Sequence, residues 1–417
     1  MSTPPRIPVD EAVARILAAV VVLPSEELAV RDALGRVLAE EIIAPYTHPM
    51  WRNSAMDGYA AHSSDIAGAS SERPVTLTVR GTIAAGGSAP AQVPRGSAWR
   101  IMTGAPVPDG VDTVIRVEDT NAGEAQVQIR SDRDVQRNVR PRGEDFAAGD
   151  VLIARETWLR PAHIGLAAAC GRSALSVVRA PRVAILTSGN ELVDVDAFDA
   201  VLAGRRIVNT NGYALAAAVR DAGGEPIELG IATDDPVAIA AHIAAAPPFD
   251  ALITSGGISV GAFDYTRDVI QRLGATLDFW RVRMRPGGPF GFGLLEGRPW
   301  FGLPGNPVSA MVTFELFVRP ALLRMRGHHH VEREPVKVRL MEPVRTQGGL
   351  THFLRAVVNE NHDVVLTGPQ GSGMLTSMAH ANALLIVPHD ETSLAEGSTA
   401  FALLLHDNSQ LVAKWTF

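Results

Sequence analysis

The sequence has 417 residues and contains a single cysteine, Cys170. One cysteine excludes an intrachain disulfide and a zinc site built from several cysteines, and it is typical of a reducing compartment. No apolar run approaches the ~20 residues that a membrane-spanning helix needs. The N-terminal residues also lack the basic segment and apolar core of a secretory signal. We therefore expect a cytoplasmic protein with no membrane span.

Positive charge is also scarce. The chain has 38 Lys and Arg against 45 Asp and Glu, which gives a formal net charge of −7 at pH 7. A net negative charge argues against a general nucleic-acid binder. Hydrophobic residues make up 46% of the chain, which is ample for packed cores. The length predicts two to four domains.

The rest of the chain is organised around the glycine-rich segment 254–261 (Thr-Ser-Gly-Gly-Ile-Ser-Val-Gly). It follows an apolar run at 249–253, which predicts a buried strand, and precedes a predicted helix at 264–273. A strand, a glycine-rich turn and a helix in this order present backbone N–H groups to an anion such as phosphate. A tight turn without a ligand has the same pattern. The residues of the predicted phosphate site are Ser255, Gly256, Gly257 and Ser259.

Carboxylates follow three successive predicted strands, as Glu191, as Asp234 with Asp235, and as Asp264. Because parallel strands end at the same edge of a sheet, we expect these side chains to meet beside the glycine turn. Magnesium, or another divalent cation, suits such a site because it prefers carboxylate, water and phosphate oxygens. Helix capping is the alternative, and Asp235 is the residue to which it applies most directly.

Three arginines, Arg281, Arg283 and Arg285, are spaced by two. In an extended segment they would point to one face. A row of guanidinium groups suits phosphate or another tetrahedral oxyanion. A solvated strand face is the alternative.

The order of predicted elements indicates a multidomain chain of the α/β plus β class. Strands and helices alternate through 181–327, which predicts a doubly wound sheet with ligands at the carboxyl ends of its strands. Short alternating strands predict a β-rich module at 51–145 and a barrel-like domain at 328–417. Segments 1–50 and 146–180 are helical in pattern.

Two predicted helices have definite limits. Apolar residues at helical spacing predict a helix over 9–23, ended by Pro24. A single long helix is predicted over 306–326, with Pro307 at its start.

Seven short motifs lie along nearly the whole chain. In sequence order they are 53–60 (Asn-Ser-Ala-Met-Asp-Gly-Tyr-Ala), 102–106 (Met-Thr-Gly-Ala-Pro), 143–145 (Gly-Glu-Asp), 187–192 (Thr-Ser-Gly-Asn-Glu-Leu), 254–261, 281–289 (Arg-Val-Arg-Met-Arg-Pro-Gly-Gly-Pro) and 302–309 (Gly-Leu-Pro-Gly-Asn-Pro-Val-Ser). Together they resemble molybdopterin molybdenumtransferase, the family that includes bacterial MoeA and the E domain of gephyrin. Linked motifs in one order are far more specific than any one of them.

The resemblance implies a transferase of molybdenum cofactor biosynthesis. Enzymes of this family take adenylylated molybdopterin (molybdopterin-AMP) and molybdate, cleave the adenylate with a divalent metal and insert molybdenum, releasing AMP. The resemblance further implies that 1–50 and 146–180 form one discontinuous helical stalk domain, interrupted by 51–145, in which the N-terminal helix packs with 146–180. It implies a homodimer with shared sites. The adenylyltransferase and molybdoenzyme chaperones are the protein partners that it implies.

The resemblance also gives roles to single residues. The implied metal ligands are Asp57, Glu191 and Asp264, although from the residues alone Asp57 before Gly58 fits a turn. The implied catalytic positions are Asp57, Thr103, Asp145, Glu191, Asp234 and Asp264. The implied substrate-binding positions, beside the glycine turn, are Arg140, Arg281, Arg283, Arg285, Pro304, Asn306 and Pro307.

The chain departs from the family pattern in the arginine row. Arg281 and Arg285 stand where the family usually has lysine, and Gly288 stands where it has a third lysine. Arginine keeps the charge but offers a planar fork in place of a point charge, whereas glycine removes a cation. Arg283 is the candidate that could compensate.

Two other functions stay open from sequence. One is a molybdopterin adenylyltransferase, which shares the α/β domain, and the other is a non-enzymatic molybdopterin-binding scaffold. The long segment before Val183 and the C-terminal β-domain argue against the first. The acidic residues argue for chemistry over a purely scaffolding role.

Overall fold

The computed structural model describes residues 6–257 and 265–405. The chain divides into two compact units, one formed by Glu27–Leu175 and the other by Met1–Glu26 with Ser176–Phe417. Among the described residues, no helix is long and apolar enough to cross a membrane.

A six-stranded sheet forms the centre of the second unit. Its strands in spatial order are Glu225–Ala232, Arg182–Ser188, Ala251–Ser255, Arg298–Leu303, Gly291–Leu295 and Thr276–Trp280. The first four are parallel and the last two are antiparallel to their neighbours. The strand Arg298–Leu303 was not predicted, although the turn before it carries a hairpin signal. That turn consists of Glu296 and Gly297, with φ angles of 51° and 79°.

Helices cover both faces of this sheet. Alternate strand residues point to opposite faces, so Ile185 lies in one hydrophobic core and Leu186 in another. The helices that pack in these cores are Thr210–Asp221, Pro236–Ala244, Tyr265–Arg272 and those within 307–325. The predicted doubly wound α/β domain is therefore confirmed.

The predicted long helix is divided by a π turn. It consists of Pro307–Thr313, the π turn Phe314–Val318 and Arg319–Met325. Pro320 explains the division, because proline has no N–H to donate and its ring clashes with the carbonyl four residues earlier. The N–H of Arg319 donates to the Phe314 carbonyl, five residues back, which widens the helix locally.

The N-terminal helix is Val9–Ala19, shorter than predicted, because Val20 is already extended (φ −93°, ψ 143°). Ala12 and Ile16 are buried in the same core as the π turn and the helix after it. That this helix also packs with 146–180 stays a prediction.

The C-terminal region contains a closed five-stranded barrel. Its strands in order are Thr351–Val358, Asp363–Leu366, Val336–Leu340, Thr399–Leu404 and Ala383–Val387, and the last pairs with the first. The short strand Met284–Arg285 pairs with the start of the first barrel strand. The predicted barrel-like domain is confirmed, although its two strands at 351–366 were missed.

Arg355, in the first barrel strand, is fully buried at 0% exposure. Its guanidinium donates to the carbonyl oxygens of Pro369, Gln370 and Gly371 and to the Ser377 hydroxyl, at 3.0 to 3.2 Å. Within the described chain it has no carboxylate partner, and burial lowers its pKa. The loop wrapped around it also reaches the α/β domain, where the Val308 N–H donates to the Ser372 carbonyl (3.1 Å).

The other unit is built on a five-stranded sheet, with strand order Thr113–Arg116, Gly58–Ala61, Ser97–Ile101, Val75–Ile83 and Gln126–Ile129. Two small ladders join Ile42–Ile43 to Val151–Ile153 and Asn53–Ser54 to Val139–Arg140. The helix Pro161–Ala169 has the predicted limits. The limits of the four predicted domains stay a prediction.

The remaining elements are short. They are the strands Ser25–Ala29, Ala174–Val178, Leu192–Val193, Ile207–Val208, Val344–Arg345 and Ser393–Leu394, the helices Ser63–Ile66, Phe198–Leu202 and Leu375–Ala379, and the 3-10 turns Val30–Asp32, Val117–Asp119 and Val195–Ala197.

Gly58 generates a stability prediction. A Cβ at this position would lie 1.8 Å from the Ile115 carbonyl oxygen, so Gly58→Ala must push two strands apart. We expect the free energy of local opening of Gly58–Ala61 to fall by about 2–4 kcal/mol. Native-state hydrogen exchange measures this locally. Gly165→Ala is the matched control, because its Cβ meets open space in a helix and should stabilise that helix by about 0.5–1 kcal/mol. Equal exchange rates in Gly58→Ala and the wild type would contradict the reading.

Candidate active site

A cavity of about 500 Å³ lies where the parallel strands Arg182–Ser188 and Ala251–Ser255 end. This is the edge at which doubly wound sheets bind ligands. The predicted site residues that line it are Glu191, Asp234, Ser255, Gly256, Gly257, Pro304, Asn306 and Pro307. Two predicted residues of the same domain, Ser259 and Asp264, lie outside the described residues.

The glycine turn has no room for side chains. A Cβ on Gly256 would lie 2.4 Å from the Ser188 carbonyl oxygen, and one on Gly257 would lie 2.5 Å from the Thr266 hydroxyl. Both glycines have positive φ, 99° and 61°. The Gly256 N–H donates to the Leu303 carbonyl (3.2 Å), so it is already used by the sheet. In the part of the chain that the structure describes, the Gly257 N–H has no hydrogen-bond acceptor and could serve an anion.

Asn211 joins the three segments that surround the cavity. Its amide nitrogen donates to the Ser255 hydroxyl (2.9 Å) and to the Gly305 carbonyl (2.8 Å), and the Ser255 hydroxyl donates to the Pro304 carbonyl (3.1 Å). Asn211 is only 9% exposed, so these bonds satisfy a buried polar group.

Sequence reasoning missed Asn211. It lies in the first turn of the helix that Asn209 caps by accepting from the Gly212 N–H (3.1 Å). Two asparagines at a helix start were the available signal, but only the first has a local capping role.

The loop that carries Glu191 and the loop that carries Asp234 are joined by two hydrogen bonds at the edge of the cavity. The Asn190 N–H donates to the Asp234 carboxylate (3.1 Å), and the Asp234 N–H donates to the Asn190 side-chain oxygen (3.1 Å). The Glu191 carboxylate folds over Gly189, where a Cβ would lie 2.7 Å from one of its oxygens. The predicted meeting of carboxylates from separate strand ends therefore holds for Glu191 and Asp234, which line the same cavity.

Asp235 caps a helix, which was the alternative considered for it. Its carboxylate accepts from the Ala238 N–H (3.0 Å), so it caps the helix Pro236–Ala244. It does not line the cavity.

A complete metal cage is absent from residues 6–257 and 265–405, where no three His, Cys, Asp or Glu side chains are grouped to hold an ion. Glu191 and Asp234 nevertheless offer the oxygen ligands that Mg²⁺ prefers, leaving positions for water and phosphate. Of the three implied ligands, Asp57 belongs to the other compact unit and Asp264 lies outside the described residues.

The three arginines at 281–285 alternate with buried residues, as predicted, but they do not line the cavity at the strand ends. Val282 and Met284 are buried, whereas the three arginines between and beside them are half-buried or exposed. None of Arg281, Arg283 and Arg285 lines the cavity at the strand ends, and Arg283 lines a second cavity. A side chain at Gly288 would begin 3.0 Å from the Met284 carbonyl oxygen, so a lysine there requires a small backbone shift.

In the other unit, Asp57 and Thr103 form a hydrogen-bonded pair. The Thr103 hydroxyl and N–H both donate to one oxygen of the exposed Asp57 carboxylate, each at 2.7 Å. These two bonds, the hydroxyl first, lower the pKa of Asp57. Asp57 is therefore held as a carboxylate, with its second oxygen left for a ligand.

Two of the seven motifs and Arg140 meet around the strand Asn53–Ser54. On one side Asn53 faces Arg140, and on the other Ser54 exchanges backbone hydrogen bonds with Gly104 and Ala105. The exposed Arg140 lies 3.8 Å from Glu144. Asp145 is placed by its N–H, which donates to the His48 carbonyl (3.1 Å).

Asn53 is a further residue that sequence reasoning missed. It is 8% exposed, and its side-chain oxygen has no hydrogen-bond partner among the described residues. A buried acceptor without a partner needs an explanation, and a ligand bound beside Arg140 would supply one.

The Asp57 and Thr103 pair generates a pKa prediction. Thr103→Val removes the hydroxyl donor but keeps the N–H, so the pKa of Asp57 should rise toward its ordinary value. Carboxyl-detected NMR titration of isotope-labelled aspartate measures it. Thr103→Ser keeps the hydroxyl and should leave the pKa lowered. An unchanged pKa in Thr103→Val would show that the hydroxyl bond is not formed in solution.

Comparison with known proteins agrees with this architecture. Three family models match in order along the chain, described as the MoeA N-terminal region (domain I and II) at residues 7–171, a probable molybdopterin binding domain at 184–324 and the MoeA C-terminal region (domain IV) at 337–405.

Relatives and solved structures span nearly the whole chain. The molybdopterin molybdenumtransferase 2 of Mycobacterium tuberculosis (strain H37Rv) is 37% identical over 374 residues, covering 88% of this chain and 92% of its own. The molybdopterin molybdenumtransferase of Staphylococcus aureus (strain MRSA252) is 33% identical over 410 residues, covering 97% of this chain and 96% of its own. A crystal structure of the molybdopterin biosynthesis MoeA protein from Pyrococcus horikoshii OT3 superposes with a TM-score of 0.82 at 29% identity, covering 96% of this chain and 100% of that one. The chain therefore belongs to the MoeA family, the molybdopterin molybdenumtransferases.

Proposed function

We propose that this protein inserts molybdate into adenylylated molybdopterin and cleaves the adenylate with a divalent cation, giving molybdenum cofactor and AMP. The observation that supports this most strongly is the cavity at the strand ends, where Glu191, Asp234 and the glycine turn lie together. Membership of the MoeA family supports the reaction class. We propose the cytoplasm as its location, in keeping with the single cysteine.

The charge of this cavity supports the proposed requirement for a cation. Its lining contains two carboxylates and no lysine or arginine among the described residues. The adjoining sequence 258–264 contains no basic residue either, and it ends in Asp264. Two like charges about 4 Å apart repel by about 4 kcal/mol at an effective dielectric constant near 20. A phosphate ester would therefore bind poorly here without a divalent ion to bridge it to the carboxylates.

The proposed roles follow from what each residue offers. Glu191 and Asp264, with Asp57, hold Mg²⁺ or another divalent ion, which when bound polarises the phosphoanhydride. Asp234 fixes the Glu191 loop through Asn190. The Gly257 N–H and the Ser255 and Ser259 region bind the phosphate or pterin side of the substrate, bordered by Pro304, Asn306 and Pro307.

Cationic and polar groups complete the proposed site. Thr103 keeps Asp57 ionised. Arg140, Asp145, Arg281 and Arg285 are proposed to contact the oxyanion or the adenylate, where a guanidinium neutralises developing charge. Arg283 lines the second cavity, and this proposal gives it no role in the reaction.

We also propose that the active unit is a homodimer with shared sites. The proposed ligands are divided between two compact units, with Asp57 in one and Glu191 in the other. In a symmetric dimer, one subunit can supply Asp57 to the α/β cavity of its partner. The adenylyltransferase that makes the substrate and chaperones that receive the product are proposed as transient partners.

The function is tested by AMP release from adenylylated molybdopterin, measured with and without molybdate and with EDTA. We expect turnover that EDTA abolishes, and a loss of about 10²–10³-fold in Asp57→Ala, Glu191→Ala and Asp264→Ala. Asp235→Asn is the matched control, because this residue caps a helix away from the cavity and asparagine caps equally well. Near-normal turnover in all three alanine variants, or full activity in EDTA, would remove the metal-site proposal.

Subunit mixing tests the shared site. Asp57→Ala and Glu191→Ala proteins are combined under conditions that exchange subunits. If sites are shared, each mixed dimer carries one intact site, and activity should rise well above either parent. If each site lies within one chain, every mixed dimer has two damaged sites and stays inactive. A monomer by light scattering at micromolar concentration would end the proposal directly.

A further inference from the structure

A second cavity, of about 660 Å³, lies in the same unit as the α/β domain. The N-terminal helix, the π turn and the barrel contribute its walls. Its floor is apolar, with Leu316, Phe353 and Leu403 all at most 9% exposed. A buried apolar floor of this size fits a small organic body better than an ion.

The π turn gives this cavity part of its wall. Glu315 and Leu316 both belong to the turn Phe314–Val318 and both line the cavity. Pro320, whose ring forces the turn, lines it as well. π turns are rare and occur frequently at functional sites, because the widened turn moves side chains that a regular helix would place elsewhere.

Arginine neutralises the least exposed carboxylate in the lining of this cavity, which belongs to Glu315. Glu315 forms an ion pair with Arg333, which also lines the cavity, and lies 3.6 Å from Arg319, which does not. All three side chains are at most 21% exposed. Both of the other lining carboxylates, on Asp10 and Glu332, are exposed at the rim with His389. Water screens these rim charges more than the buried group.

Arg283 is the other arginine in the lining of this cavity, and its guanidinium has no partner among the described residues. It is half-buried at the cavity wall, and it has no ion-pair or hydrogen-bond partner for its side chain among residues 6–257 and 265–405. Its place is fixed by its backbone, because its N–H donates to the Ile7 carbonyl (2.8 Å) and its carbonyl accepts from the Thr351 N–H (3.1 Å). A partly desolvated arginine held in place above an apolar floor is suited to a carboxylate or phosphate.

We propose that the second cavity is a binding site for a small amphipathic anion, with its apolar body on the Phe353 and Leu403 floor and its carboxylate or phosphate on Arg283. This site is separate from the proposed reaction, which concerns the cavity at the strand ends. Of the three arginines spaced by two, Arg283 lines the second cavity, and none lines the first.

Isothermal titration calorimetry with three probes tests the site on the full chain. The probes are 1-naphthoate, 1-naphthyl phosphate and the neutral 1-naphthalenemethanol, all in EDTA so that no divalent ion can attract phosphate to the first cavity. We expect at least one anion to bind with a Kd below about 1 mM and the alcohol to bind about tenfold more weakly or worse. The two anions distinguish a carboxylate site from a phosphate site.

Two variants locate the binding. Arg283→Gln should weaken the anion by about tenfold or more and leave the alcohol unchanged. Val13→Trp, which fills the cavity from the N-terminal helix, should weaken all probes. Arg220→Gln is the matched control, because this arginine is 61% exposed on a helix outside the cavity. The thermal midpoint shows that each variant is folded.

Each of several results would overturn the proposal. They are no binding of any probe at millimolar concentration, equal affinity for anion and alcohol, and wild-type binding in both Arg283→Gln and Val13→Trp. Binding that Arg220→Gln weakens as much as Arg283→Gln would assign the effect to net charge and not to the cavity.

Discussion

The amide of Asn211 is the interaction on which the α/β cavity depends. It joins the start of a helix to the hydroxyl of Ser255, at the end of one strand, and to the carbonyl of Gly305, in the loop that follows another. A buried donor must be satisfied, and an unsatisfied one costs about 1–3 kcal/mol. The glycine turn, the first turn of this helix and the loop before Pro307 can therefore hardly shift independently. These three segments therefore form one hydrogen-bonded unit at the edge of the sheet.

The two cavities of this unit differ in the charged groups that line them. The cavity at the strand ends has carboxylates and no cation in its described lining, whereas the second has two guanidinium groups, and its least exposed carboxylate, Glu315, is paired with one of them. Under the two proposals, a phosphate ester binds in the first cavity together with a divalent ion, and a free organic anion binds in the second. Such separation reduces the number of wrong complexes that either ligand can form.

Sequence patterns located most of the fold because the patterns are local. The continuous apolar run around Ile185 and Leu186 indicates a strand that is buried on both faces. Asp235 before Pro236 indicates a helix cap. The packing of Val9–Ala19 was not predictable, because an amphipathic helix shows which face it buries but not against what. The π turn was not predicted, although the helix predicted over 306–326 already contained Pro320, the residue that explains it.

The candidate site, like the fold, was predictable where local patterns determine it and not where distant contacts do. Glu191 and Asp234 could be placed together because parallel strands end at one edge. Asn211 and Asn53 could not, since their importance comes from burial and from partners far away in sequence. The arginine spacing predicted the alternating face but not that Arg283 would face a different cavity. What a side chain faces depends on neighbouring elements that its own segment does not encode.

Arg355 holds a loop that connects the barrel to the α/β domain, and this connection should couple the unfolding of the two. Its guanidinium is satisfied by loop carbonyls, so opening the loop would leave a buried charge without acceptors. The same loop accepts the Val308 N–H at the start of the helix that borders the α/β cavity. Loss of the barrel would therefore expose that helix start, and melting of the helix start would loosen the loop. The C-terminal barrel and the ligand-facing edge should behave as a single foldon, although they are far apart in sequence.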